Sequence, residues 1–296
     1  MTVKPVQVGS YAIGPGHPCF IVAEIGINHN GSLETALRLI DAAADAGCQA
    51  VKFQKRTVDL VYAAEDLARP RESPFGATNG DLKRGLELGE AEYRAIDAYC
   101  RDKGILWFAS SWDEASLEFM EAFDPPCHKI ASACLTHHDL LRRHRATGRP
   151  LLLSTGMSTM EEICRAVELL GRDRLVILHT TSTYPSRVED LNLRVIHALR
   201  DRFGCPTGYS GHEVGLQTSV AAVALGACVV ERHLTLDRAM WGSDQAASIE
   251  PHGFTRLVRD IRSVELALGD GVKRVVEDEI PVMQKLRRTP STASRG

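Results

Sequence analysis

The sequence predicts a closed (β/α)8 TIM barrel preceded by a short N-terminal hairpin. Three observations carry that prediction. Strand-like runs alternate with amphipathic runs, and the cycle repeats eight times between residues 20 and 269. The strand-like runs are short, apolar and β-branched, as expected of a parallel sheet covered by helices. No G-x-G-x-x-G opens the first helix, which counts against the alternative of an open doubly wound sheet.

Each element follows from local chemistry. VQVGSYAIGPG (6–16) alternates and then breaks at Gly14, Pro15 and Gly16, predicting the hairpin. FIVAEIGIN (20–28) reads as the first barrel strand. The helix over 32–47 has Ser32 as its cap and Gly47 as its stop. AVKFQKR (50–56) is the second strand. Residues 57–88 are punctuated by Pro70, Pro74, Gly76 and Gly80 and read as a long loop. A helix over 90–104 and a strand over 105–111 follow. The remaining strands fall at 127–132, 150–155, 175–181, 206–212 and 228–236. The helices between and after them fall at 113–123, 137–148, 159–171, 191–204, 216–227 and 252–269. One barrel domain thus spans 1–288, and the polar residues 289–296 are expected to form a disordered tail.

Composition excludes several function classes. With 44% apolar and 25% charged residues the chain reads as a soluble globular protein. A net charge of -3 gives no reason to expect a nucleic acid or an anionic membrane as partner. The first residues lack the apolar core of a signal peptide, and no apolar run approaches the ~18 residues of a membrane helix. The eight cysteines form no C-x-x-C pair, and Cys48, Cys164 and Cys228 sit inside apolar runs. Reduced thiols in a cytoplasmic protein are expected.

The barrel interior should be apolar, and here it is not. Strand alternation puts Glu24, Gly26 and Asn28 on one face. The same rule groups Lys52, Gln54 and Arg56, then Cys127, Lys129 and Ala131, then Glu231 and His233. These ionisable groups lie near strand C-termini, where barrel enzymes hold their active sites. His212 and His233 end two successive strands, so their imidazoles can reach one divalent ion. Asp244 follows in a glycine-containing loop that can fold back over the same point. Plainer roles exist for each residue. Glu24 can be a structural partner of Lys52, Lys129 can snorkel, Ser154 can cap a helix, and either histidine can cap a strand. Taken together, two lysines, a glutamate, several hydroxyls and two imidazoles suit an anionic substrate plus a metal.

AEIGINHNG, VKFQ, KIAS, LLLSTGM, LHTTSTYPS, YSGHE, ERHLTLDR and GSDQAASIEP resemble the barrel domain of the sialic acid synthases, in that family's order, over about residues 18–288. The resemblance implies a carbon–carbon-bond-forming transferase. It condenses phosphoenolpyruvate with an N-acylmannosamine-like aldose to a 2-keto-3-deoxy sugar acid and phosphate. It implies that Lys52, Ser110, Lys129, Ser132, Ser154, Ser182 and Ser210 surround phosphoenolpyruvate. Glu24 would stand near the reacting centre, and Gln54, Tyr184 and Asp244 on the sugar or metal-water side. His212 and His233 would hold the ion, Mn2+ with Mg2+ or Co2+ as alternatives. A homodimer is the expected assembly. Two other readings stay open: a 3-deoxy-aldulosonate synthase using a phosphorylated aldose, and a non-catalytic sugar-binding barrel that needs a partner protein. The sequence departs from the family pattern at Ala133-Cys134, where Gly-Glu is usual, and at Ser182, often Asn. Cys134 is either a thiolate ligand or an inert buried thiol. Family members also continue through a linker into an antifreeze-like domain that supplies an arginine, whereas this sequence ends at Gly296. Arg69 and Arg71, or Arg287 and Arg288, are the local candidates for a substitute.

Overall fold

The computed structural model of the chain describes residues 3–288. Strands β1 (Val6–Val8) and β2 (Tyr11–Ile13) pair antiparallel as the expected hairpin. Strand β3 (Phe20–Gly26) leads into helix α1 (Leu33–Asp45), whose first turn is capped by the Ser32 hydroxyl accepting from the Thr35 amide. Ala36, Leu39, Ile40 and Ala43 recur at helical spacing and form its buried face. Strand β4 (Ala50–Lys55) follows.

The stretch 57–88 is not a bare loop. It holds α2 (Val58–Val61), α3 (Ala64–Leu67), a hairpin of β5 (Pro70–Ser73) and β6 (Gly76–Thr78), and α4 (Asn79–Gly85). The glycines and prolines that suggested a loop mark the turns between these pieces. Thr78 and Asp81 form a capping box that starts α4. The Phe75 ring at the hairpin tip meets the Trp241 ring edge-on, which seats the insertion on the loop after the last strand.

The rhythm then resumes with α5 (Glu90–Lys103), β7 (Leu106–Ser111), α6 (Glu114–Glu121) and β8 (His128–Ile130). It continues through α7 (His138–Ala146), β9 (Leu151–Ser154), α8 (Met160–Leu170), β10 (Leu175–Thr180) and α9 (Val195–Phe203). It closes with β11 (Thr207–Gly211), α10 (Gln217–Ala224), β12 (Val229–His233) and α11 (Pro251–Leu268). The eight barrel strands are parallel and neighbours in chain order, and β12 pairs with β3 to close the barrel. The (β/α)8 expectation holds. A further helix, α12 (Glu279–Leu286), lies past the barrel with no buried side chain and was not foreseen. The expected tail, 289–296, lies outside the described residues.

Several strands stop earlier than alternation suggested. The register shifts between Glu24 and Gly26, and Gly26 adopts φ +54°, a left-handed conformation that favours glycine. Asn28 therefore leaves the interior and donates to Leu234 O and Ser248 Oγ, both at 2.8 Å. Arg56 lies beyond the end of β4, and its Nε donates to Glu87 Oε1 at 2.7 Å.

Candidate active site

The upper interior of the barrel holds four interlocked charges. Register places Glu24 of β3 beside Lys52 of β4, and His233 of β12 beside Glu24. Lys52 Nζ sits 3.1 Å from Glu24 Oε2 and 3.3 Å from Glu231 Oε1. Lys129 Nζ donates to the same Glu231 oxygen at 3.2 Å, and the Ser210 hydroxyl donates to it at 3.1 Å. Gln54 Nε2 donates to Glu24 Oε1 at 3.0 Å. All four charged side chains are buried. Burial pushes the Glu24 carboxyl up, to about 7, against the pull of Lys52. Burial would also raise Glu231, but the ammoniums of Lys129 and Lys52 outweigh it and hold Glu231 below the carboxylate range. Burial lowers Lys129 to about 8 despite Glu231. Lys52 stays above its usual value because its two carboxylates offset its burial.

The two imidazoles stand above this layer, with ring centroids 5.4 Å apart. Burial pushes both toward the neutral form, His212 to about 3 and His233 to about 4, and the neighbouring His233 adds to the effect on His212. His212 Nδ1 donates to Thr181 O at 2.7 Å, leaving Nε2 with the lone pair. His233 Nδ1 is buried, has no hydrogen-bond partner among the described residues and lies 3.9 Å from Asp244 Oδ2. The Tyr184 ring packs over His212, 4.1 Å between centroids.

These groups line one cavity of about 180 Å³ at the C-terminal end of the barrel. Every site residue expected from the sequence lines it except Asp244: Glu24, Lys52, Gln54, Ser110, Lys129, Ser132, Ser154, Ser182, Tyr184, Ser210, His212 and His233. Asp244 stands behind His233. Ser154 does not cap a helix. Its hydroxyl is buried without a partner among the described residues, and α8 is capped by Thr159. Ser132 accepts from the Gly156 amide at 3.0 Å.

The NeuB family model matches residues 39–273. The chain belongs to the NeuB family. It is 40% identical to human N-acetylneuraminate-9-phosphate synthase, over 94% of this chain and 79% of that protein. It is 35% identical to the N,N'-diacetyllegionaminic acid synthase of Legionella pneumophila, over 93% of this chain and 80% of that one. The solved N-acetylneuraminic acid synthetase of Leptospira borgpetersenii superimposes with TM-score 0.85 at 31% identity, covering 97% of this chain and 99% of that structure. A truncated 3-deoxy-D-arabino-heptulosonate 7-phosphate synthase from Thermotoga maritima shares the fold, with TM-score 0.71 at 17% identity.

Against the NeuB pattern the departures now have positions. Ala133 lines the cavity, but Cys134 does not. Cys134 packs in the outer apolar cluster with Leu135 and Leu140, its Sγ 4.0 Å from Trp112 O. Burial pushes its thiol up to about 12, and the side chain lies in the outer cluster and not in the cavity lining. Arg69 is paired with Asp66 at 2.9 Å and exposed. Neither it, nor Arg71, nor Arg287 or Arg288, lines the cavity. Strand alternation put Glu231 on the inward face with His233, but the sequence reading gave it no role, and the structure makes it the hub of the charge network. The sequence reading missed Trp112, whose indole lines the cavity with the Arg56 guanidinium 5.6 Å from its ring centroid.

Proposed function

We propose that this chain joins phosphoenolpyruvate to a free N-acylmannosamine-like aldose, giving a nine-carbon 2-keto-3-deoxy sugar acid and phosphate. The class of reaction follows from family membership: the chain is a phosphoenolpyruvate-dependent synthase of the nonulosonic-acid type. The observation that carries the acceptor-independent half is the cavity itself, which is lined by Lys52, Lys129 and the serines Ser110, Ser132, Ser154, Ser182 and Ser210. Lys52, Lys129, Ser110, Ser132, Ser154, Ser182 and Ser210 bind the phosphate and carboxylate through charge-assisted hydrogen bonds. Gln54 and Tyr184 face the sugar. Carbon 3 of phosphoenolpyruvate forms the new bond to the aldehyde carbon. Water then adds to carbon 2, and phosphate leaves with the bridging oxygen. Glu24, poised near neutrality beside Lys52, holds or releases a proton at its carboxyl during these steps. Beyond Lys52 and Lys129, already assigned to phosphoenolpyruvate, no lysine or arginine among the described residues lines the cavity for a second phosphate on the sugar.

The residues fit a divalent ion, Mn2+ by preference. Both rings turn Nδ1 toward a protein oxygen, and among the described residues neither Nε2 has a hydrogen-bond partner. His212 and His233 would hold the ion, and Asp244 would orient His233. No larger set of metal-binding side chains is gathered among the described residues. The ion, when bound, polarises the aldehyde oxygen. The proposal extends to a cytoplasmic homodimer, open to sedimentation and fractionation. Among the described residues no helix is long and apolar enough to cross a membrane.

The test is phosphate release from phosphoenolpyruvate across a panel of aldoses, free and 6-phosphorylated, with and without Mn2+. Release with a free N-acylmannosamine, and bridging-oxygen label recovered in phosphate, is the expected result. Faster release with the 6-phosphate would overturn the acceptor. Release with no aldose at all would overturn the reaction.

A further inference from the structure

The two imidazoles stand on different strand ends, and one buried ion pair joins their sequence neighbours. Glu213 follows His212, and Arg232 precedes His233; both side chains are enclosed. Arg232 Nη1 donates to Glu213 Oε1 at 2.9 Å, to Gly215 O at 3.0 Å and to Ser219 Oγ at 2.8 Å. Its Nη2 donates to Glu213 O. The Glu213 carboxylate also accepts from the Tyr209 hydroxyl at 2.7 Å and from the Thr218 hydroxyl. Gly211 makes room for this: a Cβ there would lie 2.6 Å from Glu213 Oε2 and from the Tyr209 ring. The segment from the end of β11 to the first turn of α10 is thus gathered on one guanidinium that β12 carries.

A buried ion pair is weak evidence for stability, since apolar residues of like volume often do as well. Its placement points elsewhere. We propose that Arg232 and Glu213 are positioning residues that set the separation of the His212 and His233 rings by fixing the end of β11 against β12. The inference rests on the reading of the two imidazoles as ligands of one divalent ion. Groups that orient metal ligands from behind typically change metal affinity 10- to 100-fold, roughly, when altered.

The experiment measures Mn2+ binding to the substrate-free protein by the paramagnetic resonance signal of the free ion, so it needs no turnover. The variants are Arg232→Lys, Glu213→Gln, and the double exchange Arg232→Met with Glu213→Gln, which leaves neither charge buried without its partner. Leu170→Ala, a core deletion in α8 within a different apolar cluster, is the control for lost stability. We expect Kd to rise about 10- to 100-fold in the pair variants, least in Arg232→Lys, and to stay at the wild-type value in Leu170→Ala at equal or lower melting temperature. Wild-type Kd in the pair variants would overturn the proposal. So would failure of all three to fold, which would assign the pair to the fold alone. If His233→Ala binds Mn2+ like the wild type, or the wild type binds none, the metal reading itself fails, and the positioning role with it.

Discussion

The eight barrel strands enclose two different interiors. Below, Phe20, Val22, Ala50, Phe108, Cys127, Leu152, Val176, Leu178 and Val229 pack with Val6, Val8 and Ile13 of the hairpin into an apolar plug. Above, the same strands turn in Glu24, Lys52, Lys129 and Glu231. One step of alternation separates the two on each strand: Val22 from Glu24, Ala50 from Lys52, Cys127 from Lys129, Val229 from Glu231. Below, each large side chain contributes about 1.5–3 kcal/mol by leaving water. Above, four charges leave water and regain little beyond that cost from one another. The lower half holds the barrel closed, and on the proposed function the upper half gives up stability to keep charges aimed at a ligand.

The largest effect should come from removing half of the upper layer while keeping its volume, the Glu24–Lys52 pair left in place. The double variant Lys129→Met, Glu231→Leu should lower kcat/KM by about a thousandfold or more, because anion-binding groups of the site go with it. Its urea midpoint should hold or rise, since an apolar pair replaces a desolvated one. A midpoint falling as far as a core deletion would show that the upper charges hold the barrel together after all. The converse experiment is Phe108→Ala in the plug. It should lose about 3–5 kcal/mol of stability while kcat of the folded protein stays within about twofold. A kcat that falls with the midpoint would mean that the two halves are not separable.

How much of this was legible follows from where alternation holds. Within the strands it placed Glu24, Lys52, Lys129 and His233 inward, because an ionisable group in a barrel interior stands out against its apolar neighbours. Past a strand's last residue it failed. Asn28 and Arg56 were read inward, yet the bulge at Gly26 and the end of β4 at Lys55 turn them away. The insertion 57–88 was opaque because elements of three to seven residues are too short to display a period. Trp112 was missed because it follows β7 and carries no charge. The plainer role open to Lys129 is also decided by geometry: the side chain does not snorkel but bonds to Glu231 across the barrel.

Acid sharpens the comparison without mutating the site. His29 and His144 are buried outside the charge layer and held neutral, each lowered to about 4, by burial first. A histidine with a depressed folded pKa binds fewer protons folded than unfolded. Its contribution is therefore complete above about pH 6.5 and is lost as pH falls toward 4. Each should cost about 2 kcal/mol of stability between about pH 7 and pH 5. Glu24 works in the opposite sense. Raised to about 7, it takes up a proton in the folded state as pH falls, and so offsets about one histidine. The depressed Glu231 acts only below about pH 4.5, outside this window. Comparing the wild type with His144→Phe cancels every group except His144 and its coupling to His128 and Glu121. Unfolding free energy in the variant should fall by about 2 kcal/mol less than in the wild type across the window. An equal fall in both would take the acid-sensitive stability away from His144 and leave it to the other buried groups.

The smallest effect is expected at Cys134, which tests whether height along the barrel or the face a side chain takes decides its role. Cys134 follows the end of β8, level with cavity-lining Ala133, so height alone would assign it to the reactive half. Its face assigns it to the apolar one: Sγ is turned to the outer cluster, and its thiol, raised by burial, stays protonated at neutral pH. A thiolate within reach of the imidazoles would bind Mn2+ directly, and its loss would weaken the ion's binding tenfold or more, roughly, as the loss of a supporting partner already does. A buried thiol contributes only its volume. Cys134→Ala should therefore lower stability by about 1 kcal/mol, the cost of a buried methyl-sized group, with wild-type kcat and Mn2+ affinity. The discriminating measurement is the ratio of the two changes. A fall in Mn2+ affinity with an unmoved melting temperature would make Cys134 a ligand and would require the turn after β8 to rotate it into the cavity.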